Sequence, residues 1–354
     1  MSERIVVGMS GGVDSSVAAA LLVEQGFEVV GVTMHLAGDG SRCCSLDDAD
    51  DARRVAESLG IRFYVANYTE RFRREVMEPF ADAYLAGRTP IPCVACNRRF
   101  KFHHLLERAR AFGAHRVATG HYARIRPGAG GRCQLERGSD PGKDQSYFLF
   151  DLGQEQLGRA SFPLGGLRKD EVRAHARRLG LATADKPESQ EICFVPDGDY
   201  AAVVESLRAD SLPGEGEIVH ENGRRLGRHR GIHRFTVGQR RGLGISAGSP
   251  LYVTRLEASA NRVVVGEADD LLVGGAELEA VSWVAGEVPE EALEARVQVR
   301  YRHEGEPACV EPGRHGGARI RFHRPVRTVT PGQAAVFYDG DRVLGGGWIA
   351  APLS

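Results

Sequence analysis

No uninterrupted apolar run in the chain approaches the ~20 residues of a membrane span, so no membrane partner is expected. Nothing at the start reads as a signal peptide. Net charge is also lacking: the formal value is −1 over 354 residues, so no overall field draws the chain to nucleic acid or membrane. Only a local patch could do that. Neither the Walker spacing G-x-x-x-x-G-K-[ST] nor a G-x-G-x-x-G turn stands at the glycine-rich start. No internal repeat or low-complexity tract is visible. The seven cysteines include one Cys-x-x-Cys pair and no second, which leaves at most a zinc half-site. A chain of this length does not need disulfides. An odd, unevenly spaced cysteine set points to a reducing cytoplasm, where paired spacings mean metal or redox chemistry.

What is present is an ordinary globular composition, 42% hydrophobic and 26% charged, long enough for two or three domains. The chain is organised around Ile5-Val6-Val7-Gly8-Met9-Ser10-Gly11-Gly12-Val13-Asp14-Ser15-Ser16. A β-branched run turns through small residues into a helix whose apolar face carries Val13, Val17, Ala20 and Leu21. Such a turn aims free N–H groups and the positive end of the helix dipole at an anion, usually phosphate. Further strands are expected at 28–34, 61–66 and 115–119, with helices at 45–59, 69–86 and 97–112. This alternation predicts an α/β domain with a parallel sheet covered on both faces. The loops after Val7, Met34 and Thr119 should meet at the carboxyl ends of the strands, where such sheets bind ligands. A linker follows at 212–216. Beyond it glycine is frequent, and short runs at 217–219, 251–255, 262–265, 295–301, 318–322 and 334–338 predict small β domains or barrels, with a break near 268–275.

Several groups carry chemistry. Pro92-Cys93-Val94-Ala95-Cys96-Asn97 places Cys96 just before the expected helix, where N–H groups lower a thiol pKa. Cys193, between Ile192 and Phe194, reads alone as a small buried hydrophobe. The adjacent Cys43 and Cys44 read as structural, and Cys133 and Cys309 as core residues. Thr119-Gly120-His121 ends a strand; its glycine admits a nucleotide and its histidine can bond a base or phosphate. Lys143-Asp144-Gln145-Ser146-Tyr147 fits RNA contact or a solvated surface equally well. Residues 222–256 hold eight arginines and no acid, which reads as a phosphate-tracking surface or as a face paired with the acids at 287–294.

The hexapeptide Ser10 to Ser15 resembles the pyrophosphate loop of the ATP pyrophosphatase superfamily. A closer resemblance runs through nearly the whole chain. It is carried by Ser10-Gly11-Gly12-Val13-Asp14-Ser15-Ser16, Cys43-Cys44-Ser45 leading to Asp51-Ala52-Arg53, Pro92 to Asn97, Thr119-Gly120-His121-Tyr122 and Lys143 to Leu149. It continues with Phe162-Pro163-Leu164-Gly165, Ser189-Gln190-Glu191-Ile192-Cys193-Phe194 and Phe235-Thr236-Val237-Gly238-Gln239-Arg240. On these motifs the chain is similar to the bacterial-type tRNA-specific 2-thiouridylases.

The resemblance implies an ATP-binding catalytic domain over 1–208, a small β-rich tRNA-binding domain over 209–268 and a β-barrel over 269–354. It implies ATP-dependent 2-thiolation of the wobble uridine in tRNAs for Lys, Glu and Gln, with AMP and pyrophosphate as products; the alternative is another ligase of the same loop family without sulfur chemistry. Gly8, Met9, Ser10, Gly11, Gly12, Val13, Asp14, Ser15, Met34 and Gly120 match positions that bind ATP, with Mg²⁺ bridging its phosphates. Cys193 matches the residue that receives a persulfide from an upstream sulfur carrier, and Cys96 the nucleophile that resolves it, directly or through a Cys96–Cys193 disulfide. Ile91, Pro92 and Cys93 match the target-base loop; His121, Lys143, Asp144, Gln145, Arg300, Tyr301 and Gln333 match other tRNA contacts. The family often has Asn where this chain has Ile91, and some members have Asp where Cys93 stands. Cys93 cannot act as that carboxylate, but with Cys96 and Cys193 it makes a three-thiolate set for a [4Fe–4S] cluster with one open iron.

Overall fold

The computed structural model describes residues 2–37, 46–188 and 192–353. Cys43, Cys44, the expected N-cap Ser45 and the Ser189-Gln190-Glu191 part of the second cysteine motif lie outside the described residues.

The first strands are β1 (Arg4–Gly8), β2 (Glu28–His35), β3 (Arg62–Asn67) and β4 (Arg116–Ala118). The chain then adds a hairpin, β5 (Ala123–Pro127) and β6 (Cys133–Arg137), and a two-residue strand β7 (Ala160–Ser161). β3-β2-β1-β4-β7 form one sheet with every pair parallel. β1 is buried along Ile5, Val6 and Val7, as a central parallel strand covered on both faces must be. One face packs on helices Val13–Glu24 and Lys169–Arg178 through Val17, Leu22, Val172 and Ala176. The other packs on the helical run that begins at Pro92, through Phe100 and Leu105. The expected order and parallel sense hold.

That second helix corrects one expectation. It starts at Pro92, not Asn97, and runs as Pro92–Ala95, π-helical turns Cys96–His104 and Leu105–Ala111. Proline fits the first helical position because its missing N–H would find no partner there. Cys96 therefore lies inside the helix rather than before it, and Cys93 occupies the first turn.

A four-stranded sheet follows, made of β8 (Gly216–His220), β9 (Arg225–His229), β10 (Tyr252–Glu257) and β11 (Arg262–Gly266) in the order β10-β11-β8-β9. Ile218, Ile232, Phe235 and Val263 form its own small core. The last strands are β12 (Leu272–Trp283), β13 (Leu293–Gln298), β14 (Glu306–Pro312), β15 (Ala318–Arg327), β16 (Ala334–Asp339) and β17 (Arg342–Leu353). They close into a six-stranded antiparallel barrel, because β12 pairs with both β15 and β17. Closure removes the exposed edge of an open sheet.

The β5–β6 hairpin leaves the parallel sheet and joins the barrel: β6 pairs with β17 at Arg342↔Glu136 and Val343↔Leu135. The barrel is thereby hydrogen-bonded to the chain segment that follows Gly120. Cys133 and Cys309 lie on β6 and β14 and are half-buried, so the expectation of core positions is corrected. They stand on strands whose buried positions are the neighbours Leu135, Ala308 and Val310.

Candidate active site

The turn after β1 is shaped by glycine and braced by serine. Gly11 has φ +71°, and a Cβ on it would lie 2.2 Å from the Asp48 carbonyl oxygen, so no other residue fits. Gly12 caps the helix Val13–Glu24 in extended backbone. Its carbonyl accepts hydrogen bonds from Ser15 Oγ at 3.1 Å and Ser16 Oγ at 2.9 Å. The Ser10 N–H donates to Ser15 Oγ at 3.1 Å. The first helical N–H groups have no intrahelical partner, and together with the dipole they favour an anion at this end.

Distant segments close around this turn. A Cβ on Gly120 would lie 2.7 Å from the Asp14 carbonyl carbon and 2.8 Å from the Ser15 nitrogen. The Tyr122 hydroxyl donates to Asp14 Oδ1 at 2.7 Å, and Lys169 Nζ lies 2.7 and 2.9 Å from the two Asp14 oxygens. Lys169 also reaches Glu188 at 2.9 Å, and Glu188 bonds Lys143. Burial works against the Glu188 charge, but the bonds and charges of Lys143 and Lys169 outweigh it and hold the carboxyl at about 2. Lys186 bonds Asp48 at 2.7 Å and Asp51 at 2.6 Å, on the helix whose backbone touches Gly11. Met34 is buried near the end of β2, two residues past the Gly8↔Val32 pair.

The cysteine helix runs past the same strand ends. A Cβ on Gly8 would lie 3.2 Å from the Leu105 side chain, and Lys101 Nζ stands 3.4 Å from His121 Nε2. Cys96 is buried in the central core, and half-buried Cys193 packs against that same core. The Cys193 segment is anchored by Phe194, whose ring meets Phe72 and Phe80 edge-on at 5.7 and 5.1 Å. The barrel grips the cysteine segment from both sides. Thr89 N–H donates to the Pro331 carbonyl at 2.8 Å and Gln333 Nε2 to the Thr89 carbonyl at 2.9 Å, just before Ile91 and Pro92. Beyond Cys96, Asn97 Nδ2 donates to the Phe148 carbonyl at 3.0 Å, and Tyr301 packs on the Phe148 ring at 4.5 Å.

Three sequence profiles match in order: the tRNA methyl transferase HUP domain over residues 3–197, the tRNA methyl transferase PRC-barrel domain over 205–267, and the aminomethyltransferase β-barrel domain over 273–349. A tRNA-specific 2-thiouridylase (MnmA) of Geobacter metallireducens is 54% identical over 363 residues, covering 99% of this chain and 98% of that one. That of Solibacter usitatus is also 54% identical, covering 98% and 99%, and that of Magnetococcus marinus is 51% identical, covering 98% and 99%. The chain belongs to the tRNA-specific 2-thiouridylase family.

Within this 2-thiouridylase, the expected RNA contacts fall into two groups. Lys143 and Gln145 are half-buried, Arg300 is exposed, and Tyr301 and Gln333 are half-buried at the barrel rim. His121 and Asp144 are buried. Asp144 accepts bonds from Arg137 at 2.9 Å, from the Gly138 and Ser146 N–H groups and from Ser146 Oγ, which ties the turn together. His121 bonds Thr119 Oγ1 at 2.6 Å; burial first and the Lys101 charge second hold it neutral, well below the usual histidine range. Of the arginines in 222–256, four pair with acids, but not with those at 287–294. Arg225 reaches Glu217, Arg228 reaches Glu215, Arg234 reaches Glu205, and Arg255 reaches Glu221 and Glu257. Among the described residues, Arg224, Arg230, Arg240 and Arg241 are exposed without an ion pair.

Lys169 and Lys186 carry no sequence motif, and Tyr122 and Glu188 stand inside motifs without a role of their own, since all four meet the loop only through tertiary contacts. The signal was lysine itself, which is scarce in this chain. One further cluster, His103, His104 and Glu107, brings its ligand atoms within 4.8 Å of one another. Arg71 Nη1 stands 3.2 Å from His104 Nδ1, so a guanidinium already occupies the place where a cation would bind.

Proposed function

We propose that this chain is an ATP-dependent tRNA sulfurtransferase that replaces O2 of the wobble uridine by sulfur in tRNAs for Lys, Glu and Gln. The reading rests above all on one juxtaposition: the helix carrying Cys96 packs against the same strand ends as the Ser10–Ser15 turn, through Leu105 at Gly8 and Lys101 at His121. A nucleotide on the turn and a thiol on the helix would then face one crevice. The proposed division is 1–208, 209–268 and 269–354. Its seams fall after the helix Tyr200–Leu207 and at the short turn Asp269–Leu271.

In this reading, residues Gly8 to Ser15 hold the β- and γ-phosphates of ATP, with Met34 and Gly120 beside the nucleoside and Asp14 as the carboxylate for Mg²⁺. The donor set fits: small residues, N–H groups at a helix start, and a carboxylate already paired to an ammonium. Uridine O2 attacks the α-phosphorus, the bond to the β-phosphate oxygen breaks, and pyrophosphate leaves. The C2–O bond now carries AMP, a far better leaving group than oxide. The terminal sulfur of a Cys193 persulfide attacks C2, and AMP departs with the former O2. Cys96 thiolate then attacks Cys193 Sγ; the sulfane bond breaks, the tRNA keeps the sulfur, and a Cys96–Cys193 disulfide remains. An external dithiol supplies the two electrons that reset it. Ile91, Pro92 and Cys93 face the target base, which lies in a loop and is cheaper to extrude than a duplex base. Lys143, Gln145, Arg300, Tyr301, Gln333 and the four unpaired arginines make up the proposed tRNA surface, with the buried His121 and Asp144 shaping it from beneath.

A second reading uses Cys93, Cys96 and Cys193 as ligands of a [4Fe–4S] cluster that would present sulfide at its open iron. It is favoured by the helical i, i+3 spacing of Cys93 and Cys96, which puts both on one face. Iron and sulfide analysis after anaerobic purification separates the two: active, iron-free protein removes the cluster. The sulfur donor is an upstream persulfide carrier, and the proposed compartment is the reducing cytoplasm. No described helix is long and apolar enough to cross a membrane. The function itself is tested by incubating the chain with ATP, Mg²⁺, a persulfide donor and unmodified tRNA. Pyrophosphate and 2-thiouridine should form together. Pyrophosphate without thiolation would return the chain to the sulfur-free ligases.

A further inference from the structure

Only four of the 46 Lys and Arg residues are lysine: Lys101, Lys143, Lys169 and Lys186. All the rest are arginine. Wherever a surface cation is wanted, this chain uses arginine, so the four exceptions mark places where a compact ammonium with three donors serves better than a planar fork. They are scattered over 86 positions of sequence yet converge in space. Lys101 lies against His121, beside Gly120. Lys143 bonds Glu188, and so does Lys169. Lys169 holds Asp14 in the turn, and Lys186 holds Asp48, whose carbonyl presses on Gly11.

Two of them bond carboxylates at the phosphate turn: Lys169 that of Asp14, and Lys186 those of Asp48 and Asp51 on the helix whose backbone touches Gly11. Lys169 Nζ lies within 2.9 Å of both Asp14 oxygens, in the first turn of the helix whose N–H groups face the anion. Its side chain is 12% exposed, so it stands in a partly dehydrated place where its charge acts strongly. Lys186 is 28% exposed and stands over Asp48 and Asp51. A carboxylate can hold an ammonium near a phosphate site without sealing it, because a polyphosphate offers more charge than the carboxylate does. The loop itself has no lysine, unlike the Walker turn, so the positive charge must come from elsewhere in the fold.

We propose that Lys169 and Lys186 are the cations of the nucleotide site, with Lys169 bonding the pyrophosphate oxygens as the bond to the α-phosphate breaks. This rests on the reading that the Ser10–Ser15 turn binds ATP. In the transfer step Lys169 gives up no proton and forms no covalent bond; it moves from Asp14 toward the phosphates and neutralises charge that develops on the leaving group. Lys143 shares Glu188 with Lys169 but matches a tRNA-contact position, so it stands outside this assignment.

Two experiments on the full chain test this. The first uses the wild-type protein. Reductive methylation with formaldehyde and borohydride, read by peptide mass spectrometry, has only four side-chain targets besides the N-terminus. A non-hydrolysable ATP analogue with Mg²⁺ should protect Lys169 and Lys186 at least fivefold and leave Lys143 unprotected. Equal labelling of Lys169 with and without the analogue would overturn the proposal. If tryptophan or filter-binding titration shows that the analogue does not bind at all, the ATP reading falls, and this proposal with it. The second compares Lys169→Met with Lys169→Arg. Removal of one aimed donor costs on the order of 100-fold in rate. K169M should lose about that much pyrophosphate release while keeping its affinity for tRNA and its circular dichroism, and K169R should recover at least tenfold. Release by folded K169M within threefold of wild type would refute the role, as would equal loss of tRNA affinity. Wild-type protein that releases no pyrophosphate would instead refute the function.

Discussion

Gly120→Ala isolates the contact between the turn and the strand-end loop. Gly120 has ordinary backbone, so alanine brings no strain of its own. Its Cβ would stand 2.7 Å from the Asp14 carbonyl carbon and 3.0 Å from Asp14 Cβ. Carbon atoms rest about 3.5–4.0 Å apart, so the turn or the loop must retreat by roughly 1 Å. Both neighbours are backbone or near-backbone and cannot swing aside. Overpacking of this kind costs about 1–3 kcal/mol of stability. A displacement of about 1 Å at a site that aligns reacting groups costs on the order of 100-fold in rate. G120A should therefore fold, lose about 1–3 kcal/mol in urea titration, and release pyrophosphate from ATP and tRNA about 100-fold more slowly. Gly158→Ala is the control. Nothing lies within 4 Å of its Cβ, it sits inside the helix Gln154–Arg159, and it should gain roughly 0.5–1 kcal/mol with unchanged turnover. G120A turnover within twofold of wild type would refute the claim that this contact sets the position of the turn.

Cys96→Ser and Cys193→Ser should each abolish 2-thiouridine formation while leaving single-turnover pyrophosphate release within tenfold of wild type; loss of pyrophosphate release in both would place the cysteines in activation instead. His121 is held neutral in the folded protein, whereas the unfolded chain takes up a proton there below about pH 6.5. Stability should thus fall as pH drops through 6.5, and His121→Gln should flatten that part of the urea-midpoint profile between pH 7.5 and 5; an identical profile would contradict the neutral, buried histidine. Exposed, unpaired Arg240 and Arg241 are expected to touch phosphates. Arg240→Gln with Arg241→Gln should lower the slope of log affinity for tRNA against log salt by about 2, whereas Arg228→Gln, already paired with Glu215, should change it less.

The parallel sheet was legible because its strands are short β-branched runs that alternate with helices, and because Gly11 and Gly12 stand where strand becomes helix. The barrel was legible only in part. β12 and β17, each twelve residues long, carry Gly274, Gly275, Gly345, Gly346 and Gly347, which break the apolar pattern that marks a strand. The β5–β6 hairpin was missed because its strands, Ala123–Pro127 and Cys133–Arg137, carry arginines among few apolar residues and are covered by segments distant in sequence, β17 among them. The helix begins at Pro92, earlier than the expected Asn97, because proline suits a first helical position. At the site, the loop and both cysteines were visible as motifs. The roles of Tyr122, Lys169 and Lys186 were not, since their partners Asp14, Asp48 and Asp51 lie more than 100 residues away.

The most direct test of the central claim is nucleoside mass spectrometry of tRNA from a bacterial strain deleted for its own 2-thiouridylase and supplied with this chain. Wild-type protein should restore the 2-thio group at the wobble uridine of tRNAs for Lys, Glu and Gln, and the Cys96→Ser variant, expressed to the same level, should not. Wobble uridine that stays unthiolated while the folded wild-type chain binds ATP and tRNA would contradict the account.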